Sequence, residues 1–316
     1  FSHTIKEQVY NRKLLQTAIE RNIHLVDYEV ITNDKNQRLI AFGKFAGMVG
    51  AHNGLWAYGK RTGEFDLPRM YQTKDYATIK TIYKDLKLPN IKIVLTGTGR
   101  VANGAALVLE DMGIKKVNAL DFVTNDYDQA VFTQLNSFYY TARKDGKVFD
   151  SAMDFYQNPT EYKSDFHHFV KHADIFINGI YWDNDAPAFF TKEDMKSDAF
   201  NIKVIADVTC DIAPVSSIPS TLKATTISDP VFGYNPETEK EDDPFSDSGI
   251  DMMTIDNLPN ELPRDASESF GEMFIEHVLP QLENEYSPII ERATLCKNGK
   301  LGSHFQYLSD YVNTVS

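Results

Sequence analysis

The sequence has few cysteines, no long apolar run and a shortage of basic residues. Its only cysteines among 316 residues are Cys210 and Cys296, too few for a disulfide scaffold, so we expect a reducing, cytoplasmic compartment. No apolar run is long enough to cross a bilayer, so no membrane partner is expected. The net charge of −13 argues against a nucleic-acid partner, because phosphate backbones are bound mainly by clustered lysine and arginine. These absences favour a globular protein that acts on small molecules, and a homo-oligomer stays open.

Apolar strands that alternate with helices predict an α/β fold with a doubly wound parallel sheet. Residues 7–22 have helical apolar spacing and residues 23–31 are predicted to be a strand. Acidic residues 236–249 are predicted to be a solvated loop, and residues 268–284 an amphipathic helix that begins at a serine or aspartate cap. The strands predicted beyond residue 90 are "IKIVLT", "IKKVNALD", "ADIFINGI", "IKVIADVT", "KATTIS" and "DMMTIDN".

Glycine recurs at short spacing in one segment, at Gly43, Gly47, Gly50 and Gly54. Each glycine inside a helix costs about 1 kcal/mol relative to alanine, so four of them indicate close backbone packing. We expect that packing at an interface between two lobes, since a length of 316 residues favours two cores.

The strongest local motif is "IVLTGTGRVANGA". Gly97, Gly99 and Ala102 fit the G-x-G-x-x-A pattern between a predicted strand and a predicted helix, where the helix N-terminus binds a pyrophosphate. Asp121 is predicted to close the next strand and to accept hydrogen bonds from a ribose 2′-OH. An acid there repels a 2′-phosphate and favours NAD, whereas Arg100 leaves NADP open.

A second group of polar residues borders apolar runs near the start of the chain. Lysine or arginine could bind carboxylates, glutamate could bind an ammonium, and histidine could move a proton near neutral pH. Scattered surface charge explains the same pattern. The members are His3, Lys6, Gln8, Glu29 and Arg38.

Other candidates have simpler interpretations. Three histidines, His167, His168 and His172, could bind a metal, but a solvated helix face is favoured and no metal site is predicted. Cys210 could be a nucleophile, but a buried strand position is favoured. Acids at predicted strand ends are better candidates, because ligands of open α/β sheets lie at the carboxyl ends of strands. These acids are Asp207, Asp211 and Asp256.

Taken in order, several motifs resemble the lysine-forming saccharopine dehydrogenases, and most closely the lysine-ketoglutarate reductase half of the bifunctional enzyme of lysine breakdown. More distantly the sequence is similar to alanine dehydrogenase and transhydrogenase. The resemblance implies interconversion of saccharopine with L-lysine and 2-oxoglutarate by a nicotinamide cofactor. The motifs are "FSHTIKEQ", "LVDYEV", "RLIAFGKFAG", "LTGTGRVANGA", "DIFINGIYW", "IADVTCD", "TIDNLPNELPRDASESFGEM" and "SPIIERA".

The same resemblance implies a role for each matched residue. His3 matches the acid-base histidine of the family. Substrate contacts are implied for Lys6, Gln8, Glu29, Arg38, Phe42, Thr209, Cys210 and Asp211. Cofactor contacts are implied for Gly97, Gly99, Arg100, Asp121, Asn125, Tyr181, Val208, Ile255, Asp256, Asn257 and Leu258.

The sequence also departs from the family. The family has a further segment ahead of the "SH" motif, which supplies half of the first domain, a carboxylate-binding arginine and a catalytic lysine. Gln37 replaces a cofactor-binding arginine of some members, and Asn257 replaces the histidine of the fungal branch.

We therefore expect two Rossmann-like lobes, of which the substrate domain is N-terminally truncated. Residues 1–88 are predicted to be the remainder of the substrate domain, 89–258 the NAD(P)-binding domain, and 259–316 a helical segment that packs back on the substrate domain. Two alternatives remain. One is another amino-acid dehydrogenase of alanine dehydrogenase or opine type, and the other is a non-catalytic NAD-binding module.

Overall fold

The computed structural model describes residues 3–314, so Phe1 and Ser2 of the opening motif lie outside it. The chain forms two compact units, Phe1–Phe42 with Ser267–Ser316, and Gly43–Ala266. The predicted boundaries after residues 88 and 258 differ from these, since residues 43–88 and 259–266 group with the larger unit. Which unit binds substrate stays a prediction.

The helices are short apart from three, and many begin at a side-chain cap. Asp75, Asn118, Ser151, Thr191 and Ser287 each accept a hydrogen bond from a backbone N–H in the first turn that follows. No helix in residues 3–314 is both long and apolar enough to cross a membrane. The α-helices are α1 Arg12–Glu20, α2 Gly43–Thr62, α3 Tyr76–Tyr83, α4 Arg100–Asp111, α5 Ala119–Thr124, α6 Ser137–Tyr140, α7 Ala152–Gln157, α8 His167–Val170, α9 Lys192–Met195, α10 Pro263–Met273, α11 Leu279–Leu282, α12 Pro288–Ala293 and α13 Ser309–Asn313.

Within residues 3–314, short strands form three sheets. The strands are β1 Leu25–Val26, β2 Lys92–Thr96, β3 Lys115–Lys116, β4 Val131–Leu135, β5 Thr141–Arg143, β6 Tyr162–Ser164, β7 Ile175–Asn178, β8 Val204–Asp207, β9 Val231–Asn235, β10 Lys240–Asp242, β11 Ile250–Met253, β12 Thr294–Lys297 and β13 Lys300–Leu301.

The larger unit is built on an eight-stranded sheet in the order β10-β9-β11-β8-β7-β2-β4-β3. The six strands from β11 to β3 are parallel, and β9 and β10 add an antiparallel hairpin at one edge. The predicted α/β class and mostly parallel sheet are thus confirmed. The central strands are buried on both faces, which explains their continuous apolar runs.

Several predicted elements differ in detail. The strand β4 was not predicted, although it pairs directly with β2. "KATTIS" is not a strand and contributes only an isolated bridge between Thr225 and Ile255. The predicted acidic loop contains β10, whose hairpin partner is β9. The helix predicted to begin at a serine or aspartate begins earlier, at Pro263, whose ring is compatible with a first helical turn.

The recurring glycines lie in helix α2, which packs closely against α4. A Cβ on Gly47 would overlap the backbone oxygen of Val101 in α4, and one on Gly104 would overlap the backbone oxygen of Lys44. The predicted close packing is confirmed, but it lies inside the larger unit and not at a boundary between units. The buried His52 of α2 contacts the Tyr83 hydroxyl at 2.8 Å and the Pro68 carbonyl at 2.7 Å.

The smaller unit contains the antiparallel sheet β1-β12-β13. One core cluster gathers Leu15, Leu295 and Leu308, and a second gathers Ile31, Ile40 and Val278. Between α10 and α11 the helix widens into a π-helix at Phe274–Val278, next to Pro280, which lacks a backbone N–H.

Candidate functional site

The glycine turn between β2 and α4 has the backbone geometry that a pyrophosphate requires. Gly97 has φ 102°, and a Cβ at this residue would lie 2.6 Å from the Gly179 carbonyl oxygen, so only glycine fits. Gly99 is the N-cap residue of α4, and no atom lies within 4 Å of the position its Cβ would take. The predicted strand, turn and helix are confirmed.

A crevice of about 320 Å³ opens beside this turn. It lies where β2, β4 and β7 end, and the carboxyl ends of parallel strands form the ligand edge of such sheets. The chain departs on opposite sides of β2 towards β4 and β7, so the crevice lies at the switch point of the sheet. Its lining residues are Gly97, Thr98, Gly99, Asn136, Ser137, Tyr140, Tyr156, Gly179, Ile180 and Tyr181.

A buried polar network connects the strand ends beneath the crevice. Asn178 at the end of β7 donates to the Asp207 carboxylate at 2.9 Å, and Thr221 donates to the same carboxylate at 2.7 Å. Thr96 at the end of β2 donates to the Asn178 side-chain oxygen at 3.1 Å. Burial raises the pKa of Asp207 to about 6. The network fixes the relative positions of β2, β7 and β8.

The segment after β8 holds three of the predicted substrate residues. Cys210 follows the strand instead of lying in it and has φ 55°, an uncommon backbone conformation for a non-glycine residue. Burial, with Asp207 as the next cause, raises the pKa of its thiol to about 12, which disfavours a nucleophilic role. Thr209 donates to the Ile180 carbonyl at 3.3 Å. Burial also raises the pKa of Asp211.

The segment after β11 divides into anchoring and exposed residues. Ile255 and Leu258 are each 1% exposed, so their side chains pack in the core, and their cofactor contacts stay predictions. Asp256 and Asn257 between them are exposed. Val208 packs against α2, because a Cβ on Gly50 would meet its methyl group. Of the residues 255–258, Asp256 and Asn257 have side chains accessible to a ligand.

Asp121 is not at a strand end. The strand β3 stops at Lys116, and Asp121 lies in the first turn of α5, where its backbone N–H donates to Asn118 at 2.8 Å. Asn125 follows α5, and its carbonyl accepts a hydrogen bond from Lys92 at 3.0 Å. Because Lys92 begins β2, Asn125 lies towards the amino end of the sheet, opposite the crevice. The predicted cofactor contact of Asn125 stays a prediction, and this position does not support it.

In the smaller unit the structure brings three predicted residues together. His3 Nε2 lies 3.5 Å from Glu29 Oε2, and an Arg38 guanidinium nitrogen lies 3.6 Å from Glu29 Oε1. Glu29 lies in the short helical turn Tyr28–Val30, and the side chain of the N-cap residue Asp27 accepts the Glu29 backbone N–H at 2.9 Å. The Glu29 Oε2 atom is buried and has no hydrogen-bond partner in the described part of the chain. Beside its ion-pair contact with His3, this oxygen can accept a hydrogen bond from a ligand N–H.

The other predicted residues of this unit have different surroundings. Phe42 stacks on Phe270 with ring centroids 6.0 Å apart, and Tyr28 packs edge-on against both rings. Lys6 is exposed. Gln8 accepts a hydrogen bond from Tyr10 at 2.6 Å and is occupied locally. The structure groups His3, Glu29 and Arg38 but does not add Lys6 or Gln8 to them.

The histidine-rich helix α8 has a carboxylate neighbour that the sequence interpretation overlooked. Ligand atoms of Asp165, His167 and His168 lie within 4.8 Å of one another, and both histidines are exposed. His172 is not in this group. Both histidines contact the Asp165 carboxylate, at 3.5 and 3.7 Å, which accounts for the cluster without an ion.

Sequence reasoning missed the crevice residues that follow β4. These are Asn136, Ser137 and Tyr140, to which α7 adds Tyr156. The signal was present in "AVFTQLNS", an apolar run that ends in cap-forming residues.

No protein-family model matches the chain. It is 28% identical to mitochondrial alpha-aminoadipic semialdehyde synthase of Mus musculus over 98% of this chain and 38% of that protein. It is 28% identical to the saccharopine dehydrogenase (NAD(+), L-lysine-forming) of Neurospora crassa over 93% of this chain and 70% of that protein.

Among solved structures, an L-alanine dehydrogenase aligns with a TM-score of 0.59 and 14% identity over 95% of this chain and 72% of that chain, which supports the fold alone. The chain spans less than half the length of the mouse relative. The resemblance seen in the motifs is confirmed, since the chain is similar over 98% and 93% of its length to the synthase and to the saccharopine dehydrogenase named above.

Proposed function

We propose that the chain is part of an oxidoreductase that interconverts saccharopine with L-lysine and 2-oxoglutarate, using a nicotinamide dinucleotide. The observation that carries the proposal is similarity to a saccharopine dehydrogenase over 93% of the chain. The glycine turn and the crevice beside it supply a site of the matching type.

The larger unit would hold the cofactor. When bound, the dinucleotide would accept or donate the hydride of the reaction. The chain's own contribution is the turn at Gly97 and Gly99, which lets a pyrophosphate approach the N-terminus of α4, where backbone N–H groups point outward. Because Cys210 is held as a thiol, this chain offers no thiolate nucleophile there.

The smaller unit would bind the charged groups of the substrate. Arg38, 44% exposed in its side chain, can bind a carboxylate in bidentate geometry. Glu29 offers a buried oxygen to an amine N–H. His3, beside Glu29, would take a proton from the amine nitrogen or from the attacking water, and return it in the reverse direction. The histidine is thus the proton carrier, and Glu29 orients it.

Initial-rate measurements test this proposal. Purified protein should oxidise NADH or NADPH only when both L-lysine and 2-oxoglutarate are present. His3→Asn should lower kcat about 10²- to 10⁴-fold, the usual contribution of a general acid-base group. His304→Asn is the matched control, because His304 is an exposed histidine of the same unit and its loss should leave kcat unchanged. Equal rates for both variants would contradict the role of His3.

The similarity of fold to L-alanine dehydrogenase favours one rival. An enzyme of that kind should oxidise the reduced cofactor with pyruvate and ammonia and ignore lysine. A non-catalytic module should bind the dinucleotide and turn over neither substrate pair.

A further inference from the structure

The strand order changes where the adenosine half of a dinucleotide can lie. In the usual dinucleotide-binding sheet, the strand after the first helix lies beside the first strand and ends near the ribose. Here that strand, β3, pairs only with β4, whereas β4 pairs with β2. With about 4.8 Å between neighbouring strands, the end of β3 lies roughly 10 Å from β2.

The residue that directly follows β4 therefore occupies the ribose position. This residue is Asn136, which is exposed and lines the crevice. Its side-chain oxygen accepts the Phe138 N–H at 3.1 Å, which leaves the side-chain N–H groups to donate to a ligand. Asp121 lies in α5, after β3, which is one strand further from β2 than β4 is. It therefore does not follow the strand that lies beside β2, as Asn136 does.

Three tyrosines border the same crevice. Tyr140 is buried, whereas Tyr156 and Tyr181 are 57% and 91% exposed. All three also line a mainly apolar pocket that continues from the crevice. In the described part of the chain Tyr181 has no ring partner. Exposed aromatic faces beside a phosphate-binding turn are suited to stacking on a purine.

The segment that carries Tyr156 is held in place by charge. Arg143 in β5 donates to Asp145, Asp154 and Glu161 at 3.0, 3.0 and 2.6 Å, and these contacts join the start, the middle and the end of the segment that connects β5 to β6. Tyr162 in β6 also donates to Asp154. Bidentate and networked arginine contacts are the stronger kind of surface ion pair. These contacts stabilise the segment in which Tyr156 lies.

From these placements we infer that Asn136 binds the adenosine ribose and that Tyr156 and Tyr181 hold the adenine ring. The inference rests on the proposed function only in taking the ligand to be a dinucleotide. No carboxylate lines the crevice among residues 3–314. Lys116 donates to Gln134 at 2.6 Å, and Gln134 donates to the Gly97 carbonyl at 3.0 Å, so a cation lies beside the turn. A 2′-phosphate is therefore not repelled, and the crevice accepts both NADH and NADPH.

Calorimetric titration tests the inference. The ligands are ADP-ribose, reduced nicotinamide mononucleotide, NADH and NADPH, and the protein is the whole chain. Tyr156→Ala and Tyr181→Ala should each raise the Kd of ADP-ribose about 5- to 100-fold, the range expected for a lost base stack. The Kd of the mononucleotide should not change. Tyr139→Ala is the matched control, because Tyr139 is 40% exposed on the neighbouring helix and does not line the crevice.

A charge change separates the two ribose candidates. Asn136→Asp should weaken NADPH relative to NADH about tenfold or more, because an acid there repels a 2′-phosphate. Asp121→Asn should leave that ratio unchanged. Unchanged Kd values in the tyrosine variants would overturn the inference, and so would an NADPH-to-NADH affinity ratio that changes in Asp121→Asn but not in Asn136→Asp. In either case, binding and turnover by the wild type would leave the proposed function intact. Failure of the wild type to bind any dinucleotide would contradict both this inference and the proposed function. Melting temperatures would identify variants that fail to fold.

Discussion

Replacing Gly99 by alanine separates the role of the turn in binding from its role in folding. Gly99 has φ −83° and ψ −169°, which alanine adopts without strain. Nothing lies within 4 Å of the added Cβ. The folded protein should therefore lose only the difference between glycine and alanine as a helix N-cap, about 0.5–1 kcal/mol.

The same methyl group would occupy the space through which a pyrophosphate approaches α4. Overpacking by one methyl group costs about 1–3 kcal/mol, which corresponds to about a 5- to 150-fold rise in Kd. The assay is calorimetric titration of NADH or NADPH, with urea unfolding to measure stability. Gly271→Ala adds a methyl group to α10, also with no atom within 4 Å, and should not change the Kd.

Wild-type affinity in Gly99→Ala would refute the reasoning, since the turn would then not approach the ligand. Gly97→Ala cannot replace this test. Its positive φ and the nearby Gly179 carbonyl make it a folding variant, in which lost affinity and lost stability cannot be separated.

Three further results follow from buried groups. Gly47→Ala should lower the free energy of unfolding in urea by at least about 3 kcal/mol, because its Cβ would overlap the Val101 backbone. The control Gly271→Ala should be neutral or stabilising. Equal stabilities of the two variants would contradict the described packing of α2 against α4. Burial lowers the pKa of His52 from 6.5 to about 4, so its contribution to stability is present above pH 6.5 and lost as the pH falls towards 4. The stability difference between wild type and His52→Gln should shrink by about 2 kcal/mol from pH 7 to pH 5, and a constant difference would show that His52 is solvated. Burial raises the pKa of the Cys210 thiol to about 12, so iodoacetamide at pH 8 should alkylate it about a thousandfold more slowly in the folded protein than in the urea-unfolded protein. Mass spectrometry measures the alkylation rate. Rapid alkylation in the folded protein would indicate an activated thiolate and contradict the prediction.

The glycine turn could be predicted because its determinants are local. A short apolar run, two glycines and a helical stretch fix strand, turn and helix within about twenty residues. The close packing of α2 could also be predicted, because glycines that recur at short spacing in one helix indicate close approach of another backbone. Its place inside the larger unit depends on contacts with α4 and β8, which no local pattern specifies.

The side of the crevice where we infer that the ribose binds could not be predicted from the sequence, because its position depends on the strand order. A local pattern places Asp121 at the end of a strand, but Asn118 caps a helix there and shortens β3 to two residues. The weaker pattern at β4 then pairs with β2. Which of two short strands lies beside the first is decided by long-range packing.

The polar group of the smaller unit is an intermediate case. Its members were named because they are polar residues that border apolar runs, a pattern that scattered surface charge explains as well, and the family resemblance then implied their roles. The structure brings His3, Glu29 and Arg38 within ion-pair distance, whereas Gln8 bonds to its own neighbours. His3 and Glu29 are more than twenty residues apart in the sequence, so no local pattern shows that their side chains are close.

The measurement that tests the central claim most directly is product analysis by mass spectrometry. Purified protein is incubated with L-lysine, 2-oxoglutarate and NADH or NADPH. The account predicts a single new amino acid whose mass equals that of the two substrates joined with loss of one water and gain of two hydrogens, formed only when all three reactants are present. Unchanged substrates, or alanine formed from pyruvate and ammonia in a parallel incubation, would contradict it.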